Sequence, residues 1–79
     1  MKVNVIVRLK EVVHDPQGET ISKALAAIDY GGVAVRQGKF FELTLDASSN
    51  EEALRLATAI AKRVLSNPVL EVFEVEVKE

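Results

Sequence analysis

The sequence predicts an α+β domain, a two-layer helix-on-sheet sandwich with the order β-α-β-α-β. Three observations carry that prediction. Apolar and polar residues alternate at both ends of the chain, over residues 2–10 and 69–79. Two internal stretches carry apolar residues at helical spacing, one around Ile21, Leu25 and Ile28 and one from Ala53 to Leu65. Each opens on a residue suited to helix capping and closes on glycine or on Asn-Pro.

In the first strand, "KVNVIVRLK", Val3, Val5, Val7 and Leu9 fall on one face. Lys2, Asn4, Ile6, Arg8 and Lys10 fall on the other, so this is a half-buried strand. "HDPQGETISKALAAIDYGG" then reads as a helix. Asp15 is placed to accept from the free N–H groups of the first turn, and Pro16 suits the first helical position, where no N–H is needed. Ile21, Leu25 and Ile28, with Ala24 and Ala27 beside them, make one apolar stripe, and Gly31 and Gly32 supply the stop.

The middle segment, "GVAVRQGKFFELTLDA", has a strand's apolar spacing at Val33, Val35, Phe41, Leu43 and Leu45. "RQGK" interrupts it, putting Gln37 and Lys39 in the inward phase. Either one long strand bends near Gly38, where a missing Cβ tolerates a bulge, or a tight hairpin splits the segment. The hairpin's first arm would be very short, which favours the long bent strand. "SNEE" then forms a capping box, Ser49 with Glu52 three residues on. Ala53, Leu56, Ala57, Ile60, Ala61, Val64 and Leu65 follow as one apolar face, which Asn67 and Pro68 end. In the closing strand Phe73, Val75 and Val77 share one face, and Glu74, Glu76 and Lys78 the other. Helical connections between strands predict that both helices pack on one face of the sheet.

At 79 residues this is a single domain, 1–79, near the size at which one core is only just sufficient. It has no cysteine, so stability must come from packing or self-association. The opposite sheet face would carry Ile6, Phe40, Leu70 and Val72 among its charges. An apolar patch of that kind marks an interaction surface, and a homo-oligomer is expected. The net charge of −2 argues against a nucleic-acid binder, whose affinity rests on Lys and Arg neutralising phosphates. No apolar run is long enough to span a membrane. A soluble cytoplasmic domain is expected.

Candidate chemistry is sparse. His14 is the one histidine and stands directly before Asp15, an arrangement that invites a general-base reading. A capping Asp points into its own helix, however, so adjacency does not make a dyad. One histidine supplies no convergent ligand set for a metal. Glu51 and Glu52 suit a helix first turn, and Glu71, Glu74 and Glu76 a solvated strand face. "RQGK" offers more: Arg36 and Lys39 flank Gly38 at a strand irregularity that could hold an anion or an acidic partner surface, or could be a solvated bulge.

Three blocks of the sequence resemble the PurS family. "LKEVVHDPQGETISKAL" (9–25) is similar to the family's strand end followed by Asp-Pro-Gln-Gly opening a helix. "VRQGKFFEL" (35–43) resembles its Val-Arg-x-Gly-Lys segment, and "LSNPVLEVFEVEV" (65–77) its Asn-Pro-Val block. Where His14 stands the family pattern has an apolar residue, so His14 inherits no role. The resemblance implies a PurS-like relative of the ferredoxin-like folds. It also implies the small subunit of phosphoribosylformylglycinamidine synthase in purine biosynthesis. That complex uses ATP, Mg and glutamine to convert formylglycinamide ribonucleotide to formylglycinamidine ribonucleotide. PurS would be a dimer or tetramer, bridging the PurQ glutaminase and the PurL synthetase and supporting ammonia transfer, with no cofactor or catalytic residue of its own. Asp15, Gln17, Gly18, Arg36, Gly38 and Lys39 are the expected partner contacts, with Ile6, Phe40, Leu70 and Val72. A small-ligand regulatory dimer module is the alternative that the residues leave open.

Overall fold

The computed structural model describes residues 1–78. The order of elements is β1 (Lys2–Leu9), α1 (Pro16–Ala27), β2 (Gly38–Thr44), α2 (Asn50–Ile60) and β3 (Glu71–Val77), with a π-helical turn (Ala61–Leu65) continuing α2. Glu79, the last residue of the expected closing strand, lies outside the described residues. Among the described residues the sheet has three strands in the order β2-β1-β3, both neighbours antiparallel to β1. Val5 stands opposite Phe41 on one side and Val75 on the other, so alternation along β1 sets the inward and outward faces of all three strands.

This topology decides what each helix must do. β2 and β3 run parallel to each other on either side of β1, and their connection has to cross a sheet face. α2 makes that crossing and forms the second layer. β1 and β2 are antiparallel neighbours, so nothing obliges their connection to cross the sheet. The expectation that both helices cover one face is therefore corrected. α1 makes no extensive contact with any strand, and the molecule is drawn out to 50 × 25 × 14 Å. The stripe expected to face the core is largely in solvent, with Ile28 62% exposed and Leu25 half-buried.

The core is a seam of valine against alanine. Val3, Val5 and Val7 of β1 are fully buried, as are Ala53, Ala57 and Ala61 at four-residue spacing along the second helix. Alanine at the contact line lets the helix axis come close to the sheet, and the larger Leu56 and Ile60 flank the line half-buried. Around this seam pack Leu43, Val75 and Val77 at one end and Phe41, Leu65 and Phe73 at the other.

Three boundaries differ from the sequence expectation. In the π turn, the Ser66 N–H donates to the Ala61 carbonyl five residues back, at 2.9 Å. The additional residue rotates the face, so Val64 is 75% exposed instead of inward, and Leu65 packs on the core. α1 stops before the glycines: Asp29 takes a left-handed conformation (φ 73°), and the Tyr30 N–H closes on the Leu25 carbonyl at 2.9 Å. The long middle strand is also shortened. Ladder pairing begins at Gly38, opposite Arg8, and residues 33–37 run up to it as an unpaired arm, with no hairpin.

The alanine seam generates a prediction. Ala57→Leu inserts three carbons where helix and sheet already touch and should destabilise by about 1–3 kcal/mol. Leu54→Ala, on the exposed side of the same helix, should change stability by less than about 1 kcal/mol. Urea unfolding at one fixed protein concentration compares the two.

Candidate subunit-contact site at the open end of the sheet

Beyond the last residue of β1 the chain stays tied to β3, the Lys10 N–H donating to the Leu70 carbonyl at 2.9 Å. It then turns, with Val13 N–H on the Lys10 carbonyl, and reaches Asp15 at the helix N-cap. The two carboxylate oxygens of Asp15 do different work. Oδ1 accepts from the Gly18 N–H at 2.9 Å, the ordinary capping bond, and Oδ2 accepts from the Gln37 N–H at 2.6 Å. Asp15 is thus a cap for α1 and a clamp on the arm leading into β2, and it is only 5% exposed. The Gly18 and Gln37 N–H groups hold its carboxyl below the usual carboxylate range, with help from the Arg36 charge; desolvation opposes them and loses.

Around this clamp the arm is fastened at consecutive residues. The Ser22 hydroxyl donates to the Gly18 carbonyl and accepts from the Val35 N–H at 2.9 Å. The Arg36 guanidinium spans the turn, donating to the Val13 and Lys10 carbonyls at 2.9 and 3.0 Å. The Gln37 side chain donates to Gln17 at 3.0 Å. Two glycines permit the approach. A Cβ on Gly18 would strike the Val35 carbonyl oxygen and stand 2.6 Å from Asp15 Oδ2, and one on Gly38 would stand 2.6 Å from the Val7 carbonyl oxygen.

The third block closes the same end. The Asn67 carbonyl accepts from the Leu70 and Glu71 N–H groups, and its side chain accepts from Val69 N–H at 3.0 Å. Glu71 returns one carboxylate oxygen to the Asn67 N–H at 2.7 Å and offers the other to Lys39 Nζ at 3.3 Å. Segments 10–18, 35–39 and 67–71, remote in sequence, converge on one edge of the structure.

The predicted residues divide accordingly. Asp15, Gln17, Gly18 and Arg36 belong to one network, joined to Gly38 and Lys39. Gly18 is buried, so its place among the surface contacts is corrected: it serves the packing of the arm. Arg36 is exposed yet its donors are engaged within the chain. Ile6 and Phe40 stand directly opposite each other on the bare sheet face, Phe40 61% exposed. Val72 follows opposite Arg8, and Leu70 sits just before β3. Sequence reasoning missed Ser22, Asn67 and Glu71. Ser22 and Glu71 looked like ordinary surface residues and Asn67 like a helix stop alone, and no local pattern distinguishes a serine bonded 13 residues away. Gln37 did leave a signal, since it broke the strand alternation.

The His14–Asp15 question is settled by the partners. His14 Nε2 lies 3.4 Å from Glu19 Oε2, both side chains being largely exposed, while both Asp15 oxygens are taken by backbone N–H groups. Among the described residues no group of three or more His, Cys, Asp or Glu side chains could hold a metal ion.

Fold and site together define a small β-α-β-α-β domain with one bare sheet face and a helical side arm locked on by polar loops. The family model described as "PurS: Phosphoribosylformylglycinamidine (FGAM) synthase" matches residues 2–79, and the chain belongs to that family. It is 40% identical over 79 residues to the phosphoribosylformylglycinamidine synthase subunit PurS of Bacillus subtilis, covering 99% of this chain and 93% of that protein. It is 35% identical over 80 residues to the Archaeoglobus fulgidus subunit of the same name, over the full length of both. The crystal structure of Methanocaldococcus jannaschii PurS superposes with a TM-score of 0.89 at 29% identity, covering 99% of this chain and 95% of that one. A B. subtilis PurS structure gives 0.85 at 40% identity, covering 99% and 98%.

The clamp makes an acid-dependent prediction. Because the folded Asp15 pKa is depressed, its stabilisation is complete above the unfolded carboxylate pKa of about 3.9 and is lost as pH falls through the lower folded value. Asp15→Asn keeps a cap but sets an amide against the Gln37 N–H. The stability gap between the unaltered chain and this variant should be full at pH 7 and shrink below about pH 4. Gly18→Ala should lower the melting temperature by about 5 °C or more, because the Val35 carbonyl is main chain and cannot swing aside.

Proposed function

We propose that this chain is the small, non-catalytic subunit of a phosphoribosylformylglycinamidine synthase. It bridges the PurQ glutaminase and the ATP-dependent PurL synthetase and supports passage of ammonia between them in the cytoplasm. The whole-length match to the PurS family carries this reading. The M. jannaschii relative is described as one of the subunits of formylglycinamide ribonucleotide amidotransferase in the purine biosynthetic pathway. The conversion of formylglycinamide ribonucleotide, glutamine and ATP to formylglycinamidine ribonucleotide is then chemistry of the catalytic subunits. ATP and Mg are used by the complex and not held by this chain.

The surfaces suit such a part. The polar groups that sequence alone would offer for chemistry are occupied in holding loops together. Apolar side chains are in contrast exposed, among them Ile6, Phe40 and Val72 on the bare sheet face and Ile21 and Ile28 on α1 and at its C-cap. Exposed apolar area on a chain of this size favours self-association, here into a dimer or tetramer, and leaves surface for the larger subunits.

The test is reconstitution with the PurL-type and PurQ-type subunits, ATP-Mg and glutamine. Omitting this chain should abolish both the high-mass complex and glutamine-dependent amidation, while ammonia still serves as nitrogen donor. Undiminished glutamine use without it would overturn the proposal. For the oligomer, Ile28→Asp removes apolar area from the arm without touching the core. Sedimentation velocity should show a shift from the assembled species towards the protomer.

A further inference from the structure

The end of the sheet where β1 passes into its loop carries more cations than its ion pairs use. Two shallow clefts meet there, with Lys10 and Val72 in the walls of both. Arg8 and Arg36 line the first, and Lys62 and Phe73 the second. Arg8 is neutralised by Glu74 at 2.7 Å, and Glu71 in the second cleft is neutralised by Lys39. Lys10 and Lys62 have no ion-pair partner among the described residues. Arg36 donates to neutral carbonyls, and its charge also acts on the buried Asp15. Glu11 is the one acid in these walls without an ion pair among the described residues. On a chain of net charge −2, positive charge is concentrated here against the overall balance.

We infer that the joined cleft binds an acidic segment of a protein partner, with its carboxylates on Lys10 and Lys62 and its apolar atoms against Val72 and Phe73. This rests on the reading of the chain as a subunit and names the surface and the chemistry of its partner. Two features select carboxylates on a peptide over a phosphate. Phosphate cradles are built from free backbone N–H groups, and here those of Lys10, Val13, Leu70 and Glu71 are all spent on carbonyls within the chain. The two unpaired ammoniums are point charges on separate elements, the β1 exit and the π turn. Such spacing fits charges distributed along an extended segment. The intervening apolar walls fit side-chain stems and supply contact that salt does not screen.

Charge reversal tests this. Lys10→Glu and Lys62→Glu are compared with Arg55→Glu, an equal change of charge at an exposed α2 position outside both clefts. All are first checked for unchanged melting temperature. With the large and glutaminase subunits, each cleft variant should bind about tenfold more weakly, with a shallower salt dependence, and Arg55→Glu should bind as the unaltered chain does. If all three assemble equally well, the inference is overturned and the subunit reading stands. If the unaltered chain does not assemble at all, the subunit reading falls, and a fluorescent hexaglutamate peptide decides the cleft by itself. Salt-sensitive binding lost in both cleft variants supports the site; equal binding by all variants, or none, overturns it.

Discussion

The arrangement of this molecule depends on one carboxylate. Asp15 accepts from the Gly18 N–H in its own helix and from the Gln37 N–H at the threshold of β2, so a single side chain ties α1 to the arm that enters the sheet. That matters because α1 has no apolar bed to lie on. Its stripe faces solvent, so hydrophobic packing, which normally orients a helix, contributes little here. Orientation passes instead to a directional set: the Asp15 clamp, the Ser22 relay and the Arg36 bridge. Bonds made by charged groups are well suited to this role, being stronger and stricter in geometry than neutral ones. Gly18 and Gly38 are the steric condition for it, since both sit where a Cβ would strike a main-chain carbonyl.

The rest of the protomer is held by a thin seam. Among the described residues three valines and three alanines are fully buried, and no larger side chain lies wholly inside. Alanine brings the helix close but contributes little apolar area, so the protomer's own core is modest for a chain that must offset the entropy of folding without disulfides. The same sequence leaves Ile6, Phe40, Ile21 and Ile28 in solvent. Burial of this apolar area between chains, as proposed above, would supply what the seam lacks. On that proposal, stability and assembly form a single equilibrium that depends on concentration.

Membership of the PurS family agrees with this economy. The three blocks that carry the resemblance are not three separate surface sites. The Asp-Pro-Gln-Gly segment supplies the clamp, the Val-Arg-Gln-Gly segment supplies the arm it grips, and the Asn-Pro segment closes the adjoining turn through Glu71. Their residue types answer to mutual docking: a carboxylate for two N–H groups, a guanidinium for two carbonyls, glycines for close approach. The ammoniums of Lys10 and Lys62, without an ion-pair partner among the described residues, stand at the rim of the structure that the three blocks build.

The sequence by itself determined the elements. Alternation over β1 and β3, the Asp15 and Ser49 caps, Pro16 at the helix start and the Asn67-Pro68 stop are local matters of sterics and nearest-neighbour hydrogen bonding, and they are legible in a window of a few residues. So was the bare apolar patch of Ile6, Phe40 and Val72, because a period of two assigns faces without knowledge of strand order. Tertiary structure decided where those elements went. Whether a connecting helix must cross a sheet depends on the strand order β2-β1-β3, which is a property of pairing between distant segments. The periodicity of α1 therefore showed an apolar stripe without showing that the protomer leaves it uncovered. The second function of Asp15, the bonds of Ser22 and the carboxylate of Glu71 were hidden for the same reason. Each partner lies tens of residues away or across a turn, and composition carries no information about contacts that only the folded chain creates.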